Sequence, residues 1–143
     1  MRLLLVGLVL LSPWAQSELV IEEGYVRGLP PGQPNTAAFM RLSNNGEQPL
    51  TVVGVGSDVA KRAEIHRSTV KNGLMHMEKL ADITIAAGAT FELTPGANHL
   101  MLMGLEKTLV AGDSVKLRFS LKNGSQHTAT LKVRSVLDEH HHH

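Results

Sequence analysis

Apolar residues fall at every second position in Val115-Lys116-Leu117-Arg118-Phe119-Ser120-Leu121, and again at Ala129, Leu131 and Val133 against Thr128, Thr130, Lys132 and Arg134. Side chains alternate faces along a β-strand, so each run reads as a strand with one buried and one wet face. Asn123-Gly124 between them supplies the residues of a tight hairpin turn. Shorter runs at 19–21, 37–42, 50–55, 62–66, 83–85 and 91–93 follow the same period less cleanly, punctuated by Asn44-Asn45-Gly46, Ala87-Gly88 and Pro95-Gly96. Pro30-Pro31-Gly32-Gln33-Pro34 reads as a rigid loop, because proline denies a ladder its donors. Only residues 105–110 suggest a helical turn. About eight or nine short strands predict an all-β Greek-key sandwich or barrel.

One further run, His99-Leu100-Met101-Leu102-Met103, alternates differently: Leu100 and Leu102 share one face, while His99, Met101 and Met103 share the other. In Ala63-Glu64-Ile65-His66 the alternation puts His66 with Glu64 on the outer face, near a strand end, and Met75 and Met77 share a face about His76. These strand ends are expected to meet at one rim of the barrel.

At 143 residues the chain is read as one domain. Its opening MRLLLVGLVLLSPWAQSE has Arg2, an apolar run at 3–11, a Ser12-Pro13 break and small residues at Ala15 and Ser17, the layout of a signal peptide over 1–17. That run falls short of the ~20 residues of a membrane-spanning helix. The mature protein, a barrel domain over 18–137, is therefore expected outside the cytoplasm, in the periplasm, and not membrane-spanning. Cysteine is absent, so the core must hold the fold without disulfides, and a lipid anchor on an N-terminal cysteine is not expected. A net charge of +1, with the charges scattered, gives no footprint for nucleic acid or an anionic membrane. There is no Gly-rich phosphate loop, G-x-S-x-G, H-E-x-x-H or C-x-x-C, so an enzyme is not expected.

After the initiator the methionines are Met40, Met75, Met77, Met101 and Met103, and His66, His76 and His99 fall in the same window as the last four. Imidazole with thioether is a soft donor set that suits Cu(I) far better than Mg²⁺, Ca²⁺ or Mn²⁺. Zinc prefers Cys, His and carboxylate, and no cysteine is present. A thioether also escapes loss to a disulfide in an oxidising compartment. The competing reading is packing, since methionine readily fills gaps in cores. Packing is expected for Met40 and His127, and a surface position for His76. The alternative for the whole chain is a structural or interaction β-sandwich with a methionine-filled core and no specific metal. A blue-copper carrier is excluded by the missing cysteine.

The residues then resemble the PCu(A)C family of periplasmic copper chaperones, whose signature is His or Met, ten residues, Met, twenty-one residues and His-x-Met. Here His66 precedes ten residues and Met77, then twenty-one residues and His99-Leu100-Met101. The likeness extends through Gly32-Gln33-Pro34, Ala37-Ala38-Phe39-Met40, Ser43-Asn44-Asn45-Gly46, Glu64-Ile65-His66, Leu93-Thr94-Pro95-Gly96 and residues 99–105; Gly24-Tyr25-Val26-Arg27 departs from it, where a tryptophan-bearing segment is expected. The resemblance implies a cupredoxin-like barrel holding one Cu(I) through His66, Met77, His99 and Met101. It also implies delivery to cytochrome c oxidase assembly at the CuA site of subunit II, alongside a Sco-type copper protein, and the chain is expected to act as a monomer. Met75 and Met103 lie outside the signature and are expected to fill the core or support the ligands. The tail at 138–143, Asp138-Glu139 followed by four histidines, reads as a natural extension rather than a tag remnant, and composition would let it take Cu(II) as a looser site.

Overall fold

The computed structural model describes residue 7 and residues 18–136. The expected signal peptide and the histidine tail therefore lie outside the described residues, residue 7 apart. The described chain forms ten strands: β1 Leu19–Gly28, β2 Asn35–Asn44, β3 Leu50–Ser57, β4 Ala60–Lys71, β5 Leu74–Leu80, β6 Ile83–Ile85, β7 Thr90–Leu93, β8 His99–Leu105, β9 Ser114–Leu121 and β10 Gln126–Ser135. The all-β expectation is met.

Strands pair in the order β5-β4-β8-β2-β1-β10-β9-β3-β6, and an added pairing of β3 with β4 closes seven of them into a barrel. Every neighbouring pair is antiparallel except β1 with β10. Closure rests on the single pair Val55↔Ala63, so β5 and β6 flare from the two sides of this seam. Alternation fills the interior: Val115, Leu117 and Phe119 from β9 meet Leu42 and Met40 from β2 and Leu100 and Leu102 from β8, all buried in one cluster. Met40 packs there as expected. His127 lies opposite the buried Phe119 and is half-buried, also consistent with packing, while His76 is exposed.

One expectation is corrected. Residues 105–110 form no helical turn: Leu105 ends β8, its N–H donates to the Pro34 carbonyl at 2.8 Å, and the Glu106 N–H donates to the Val59 carbonyl at 2.9 Å. These bonds tie the end of β8 to the loop before β2 and to Val59, and the chain continues in irregular backbone. The β9–β10 hairpin forms as expected, its loop spanning 122–125, with Gly124 at φ 91° and Asn123 Oδ1 accepting from the Ser125 N–H at 2.9 Å. The proline loop lies between β1 and β2 as expected.

Candidate metal centre

Strand β4 is the middle of three. On one side β5 pairs with it from Ile65↔Leu80 to Lys71↔Leu74, and on the other β8 pairs from Ala60↔Leu105 to His66↔His99. Residues directly opposite one another share a face. Ile65, Leu100 and Leu102 belong to the core, so Glu64, His66, His99 and Met101 point outward. Across the sheet Lys79, His66 and His99 form one row; Glu64 and Met101 form the next row in one direction, and Met77 and Ser68 in the other. Diagonal neighbours on one face have Cβ atoms within about 7–8 Å, a span that long side chains bridge. His66 thus has His99 directly opposite, Met101 diagonal on one flank and Met77 diagonal on the other.

This differs from the expected rim. His66 lies in the middle of a twelve-residue strand, and the cluster occupies the outer face of the sheet. The polar stretch after His66 hides the second half of β4 from a pattern search, which makes His66 look terminal. Met75 is 68% exposed and so fills no core, which leaves the supporting role of the two expected for it. Met103 is half-buried on the outer face, opposite Arg62 and Asn35.

The two histidines are held by different ring nitrogens. His99 is 8% exposed, and its Nδ1 lies 3.2 Å from the Ala97 carbonyl, which can only accept, so Nδ1 carries the proton. Its Nε2 is buried with no hydrogen-bond partner. A buried polar atom left unpaired costs about 1–3 kcal/mol. His66 is bound instead at Nε2, 2.9 Å from Glu64 Oε2, with the two side chains 17% and 16% exposed. Glu64 Oε1 takes Lys79 Nζ at 3.3 Å and Arg62 Nη1 at 4.0 Å. The hydrogen bond from His66, with the neighbouring Lys79 and Arg62 charges, holds the Glu64 carboxyl below its ordinary value despite the opposing effect of burial. Glu64 was not singled out from the sequence as part of the site; its shared face with His66 was the available signal.

The ring centroids of His66 and His99 stand 5.8 Å apart, tilted by 40°. With a metal–imidazole bond of about 2 Å, as zinc shows, two rings sharing one ion have centroids at most about 6.4 Å apart. The pair therefore fits a common ion. Among the described residues no three His, Cys, Asp or Glu side chains group as a metal site, so any ion here depends on the thioethers, which selects for a soft one.

A family described as "Putative lipoprotein LpqE-like" matches residues 19–133. The chain belongs to the LpqE-like family. "Putative lipoprotein Lxx21020" of Leifsonia xyli subsp. xyli is 35% identical over 104 residues, covering 72% of this chain and 63% of that protein. "Uncharacterized protein RP573" of Rickettsia prowazekii is 26% identical over 123 residues, covering 85% and 64%. This LpqE-like chain thus spans less than two thirds of the curated relatives it matches. Among solved structures, Cu(I)-bound DR1885 from Deinococcus radiodurans has 30% identity and a TM-score of 0.66, over 84% of this chain and 81% of that one. The copper-bound PCuAC domain of PmoF2 has a TM-score of 0.69 at 17% identity, over 83% and 94%. The LpqE-like barrel therefore has the cupredoxin-like fold of PCuAC domains, as the resemblance implied.

Proposed function

We propose that the LpqE-like chain is a Cu(I)-binding metallochaperone of the cell envelope, not an enzyme, with the ion as cargo held by His66, Met77, His99 and Met101. The observation that carries this reading is the buried, unpartnered Nε2 of His99, a lone pair kept dry beside a second imidazole and a thioether strand. Such an atom is a structural liability unless something binds it. The similarity to copper-bound PCuAC domains supports the same reading. Neutral donors and the nearby Lys79 and Arg62 favour a monovalent ion over a divalent one.

The acceptor we favour is the CuA site of cytochrome c oxidase subunit II, with a Sco-type copper protein acting alongside, and the location the periplasm; family members named as lipoproteins support an envelope location. The histidine tail is assigned a looser Cu(II) site. Direction of transfer follows the affinity difference between donor and acceptor, about 1.4 kcal/mol for each factor of ten.

The test is an anaerobic Cu(I) titration against a chromophoric competitor, using the chain from 18 to 137 and the same chain carrying Met77→Ala with Met101→Ala. One tight equivalent lost in the double variant supports the chaperone. No binding, or binding indifferent to the substitutions, makes the methionine face a feature of a structural β-sandwich.

A further inference from the structure

The Nε2 of His66 is engaged, and the group that engages it belongs to no ligand set assigned above. An ionised carboxylate only accepts hydrogen bonds, so the 2.9 Å contact between His66 Nε2 and Glu64 Oε2 places the ring proton on Nε2 and leaves the lone pair of the neutral ring on Nδ1. The two carboxylate oxygens divide their work. Oε1 is tied by Lys79 from β5 and by Arg62 from β4, while Oε2 is left for the imidazole. Both members of the pair are more than four-fifths buried, which shields the bond from water. His99 follows the same logic with the opposite nitrogen: its partner two residues back, Ala97, fixes Nδ1 and frees Nε2. Glu64 is likewise two residues before His66, and in register it stands opposite Met101.

We propose that Glu64 is the positioning residue of the copper site: it fixes the His66 ring so that Nδ1, rather than Nε2, meets the ion shared with Nε2 of His99. This rests on the copper reading above. Carboxylates that hold the far nitrogen of a metal-bound imidazole fix its tautomer and raise its basicity, and losing one costs about 10–100-fold in metal affinity. Lys79 and Arg62 act one step further out, by keeping the carboxylate from swinging into the ion's place.

The experiment compares the full chain with Glu64→Gln, which keeps the size and removes the charge. Two readouts are taken at neutral pH: Cu(I) affinity by competitor titration, and the His66 tautomer of the metal-free protein by long-range ¹H–¹⁵N correlation. Expected are a wild-type ring protonated at Nε2 alone, a mixture of tautomers in Glu64→Gln, and a fall in affinity of about 10-fold or more. A wild-type ring protonated at Nδ1, or a variant that binds within about twofold of wild type, overturns the proposal. The wild-type tautomer needs no variant and decides even if Glu64→Gln does not fold. If wild type binds no tight Cu(I), the chaperone reading falls and this proposal with it; if wild type binds and the variant binds equally, only the role of Glu64 falls.

Discussion

Replacing His99 with leucine should stabilise the metal-free protein while abolishing the copper site proposed above. The Nε2 atom is buried without a partner, and removing such an atom returns about 1–3 kcal/mol. Against this stands the lost bond from Nδ1 to the Ala97 carbonyl. That bond is long at 3.2 Å, and Ala97 is exposed, so water takes over its carbonyl and the loss falls at the low end of the usual ~0.5–1.5 kcal/mol. Leucine is close to histidine in volume and suits a position only 8% exposed, so little strain follows. The net expectation is a gain of about 1 kcal/mol, or about 3–5 °C in Tm for a chain of this size. Copper reverses the order. A ligand present at about a hundredfold its Kd stabilises the binding form by about 2.7 kcal/mol and leaves a non-binder untouched. The assay is urea unfolding with a Cu(I) chelator present and then with Cu(I) in excess, both anaerobic, on the chain from 18 to 137. A His99→Leu variant clearly less stable than wild type when metal-free, or stabilised by copper as much as wild type, would refute the claim that Nε2 is an unpaid cost held for the ion.

Three further outcomes are expected. The Glu64 carboxyl is held below its ordinary value in the folded chain, so its contribution to stability is lost as pH falls through that lower folded value; the stability difference between wild type and Glu64→Gln should shrink over that acidic window. Cu(I) affinity should weaken from about pH 7.5 to about pH 5, because protons compete for the imidazole lone pairs, and a flat titration series would argue against histidine ligation. Phe119→Ala, at a fully buried position of β9, should cost about 3–5 kcal/mol in urea unfolding, and a cost under about 1 kcal/mol would mean the core is not packed as described.

Much of the barrel was legible because period-two alternation records a buried face, and most strands have one. β6 over Ile83–Ile85 coincides with its expected run, and β9 and β10 follow theirs closely. Strand β5 was anticipated only as a strand end at residues 75–77, for the converse reason. Its residues from Leu74 to Glu78 and Lys79 are all exposed, with only Leu80 partly buried, so there is no burial for its sequence to encode. Its existence follows from pairing with the second half of β4, a non-local fact. Faces were readable for Glu64, His66, His99 and Met101, since alternation alone assigns them. The row in which His66 meets His99 was not, because register between strands distant in sequence is fixed by the fold, not by either strand alone.

If the proposed copper reading holds, the arrangement of these donors bears on how a carrier can both keep and surrender its ion. His99 lies on a barrel strand paired on both edges, with β2 and β4, and is almost fully buried; Met101, on the same strand, is half-buried. Met77 is 56% exposed on β5, which pairs only with β4 and stands at the end of the strand order. Mobility rises in the same direction, since an exposed edge strand opens at lower cost than one locked between neighbours. On the proposed ligand set, an incoming donor would meet the Met77 thioether first, and its displacement would disturb least of the fold. The buried imidazole of His99 would be the last to let go. A ligand set graded from rigid and dry to mobile and wet lets exchange proceed through shared coordination, one bond at a time, without the free ion having to appear.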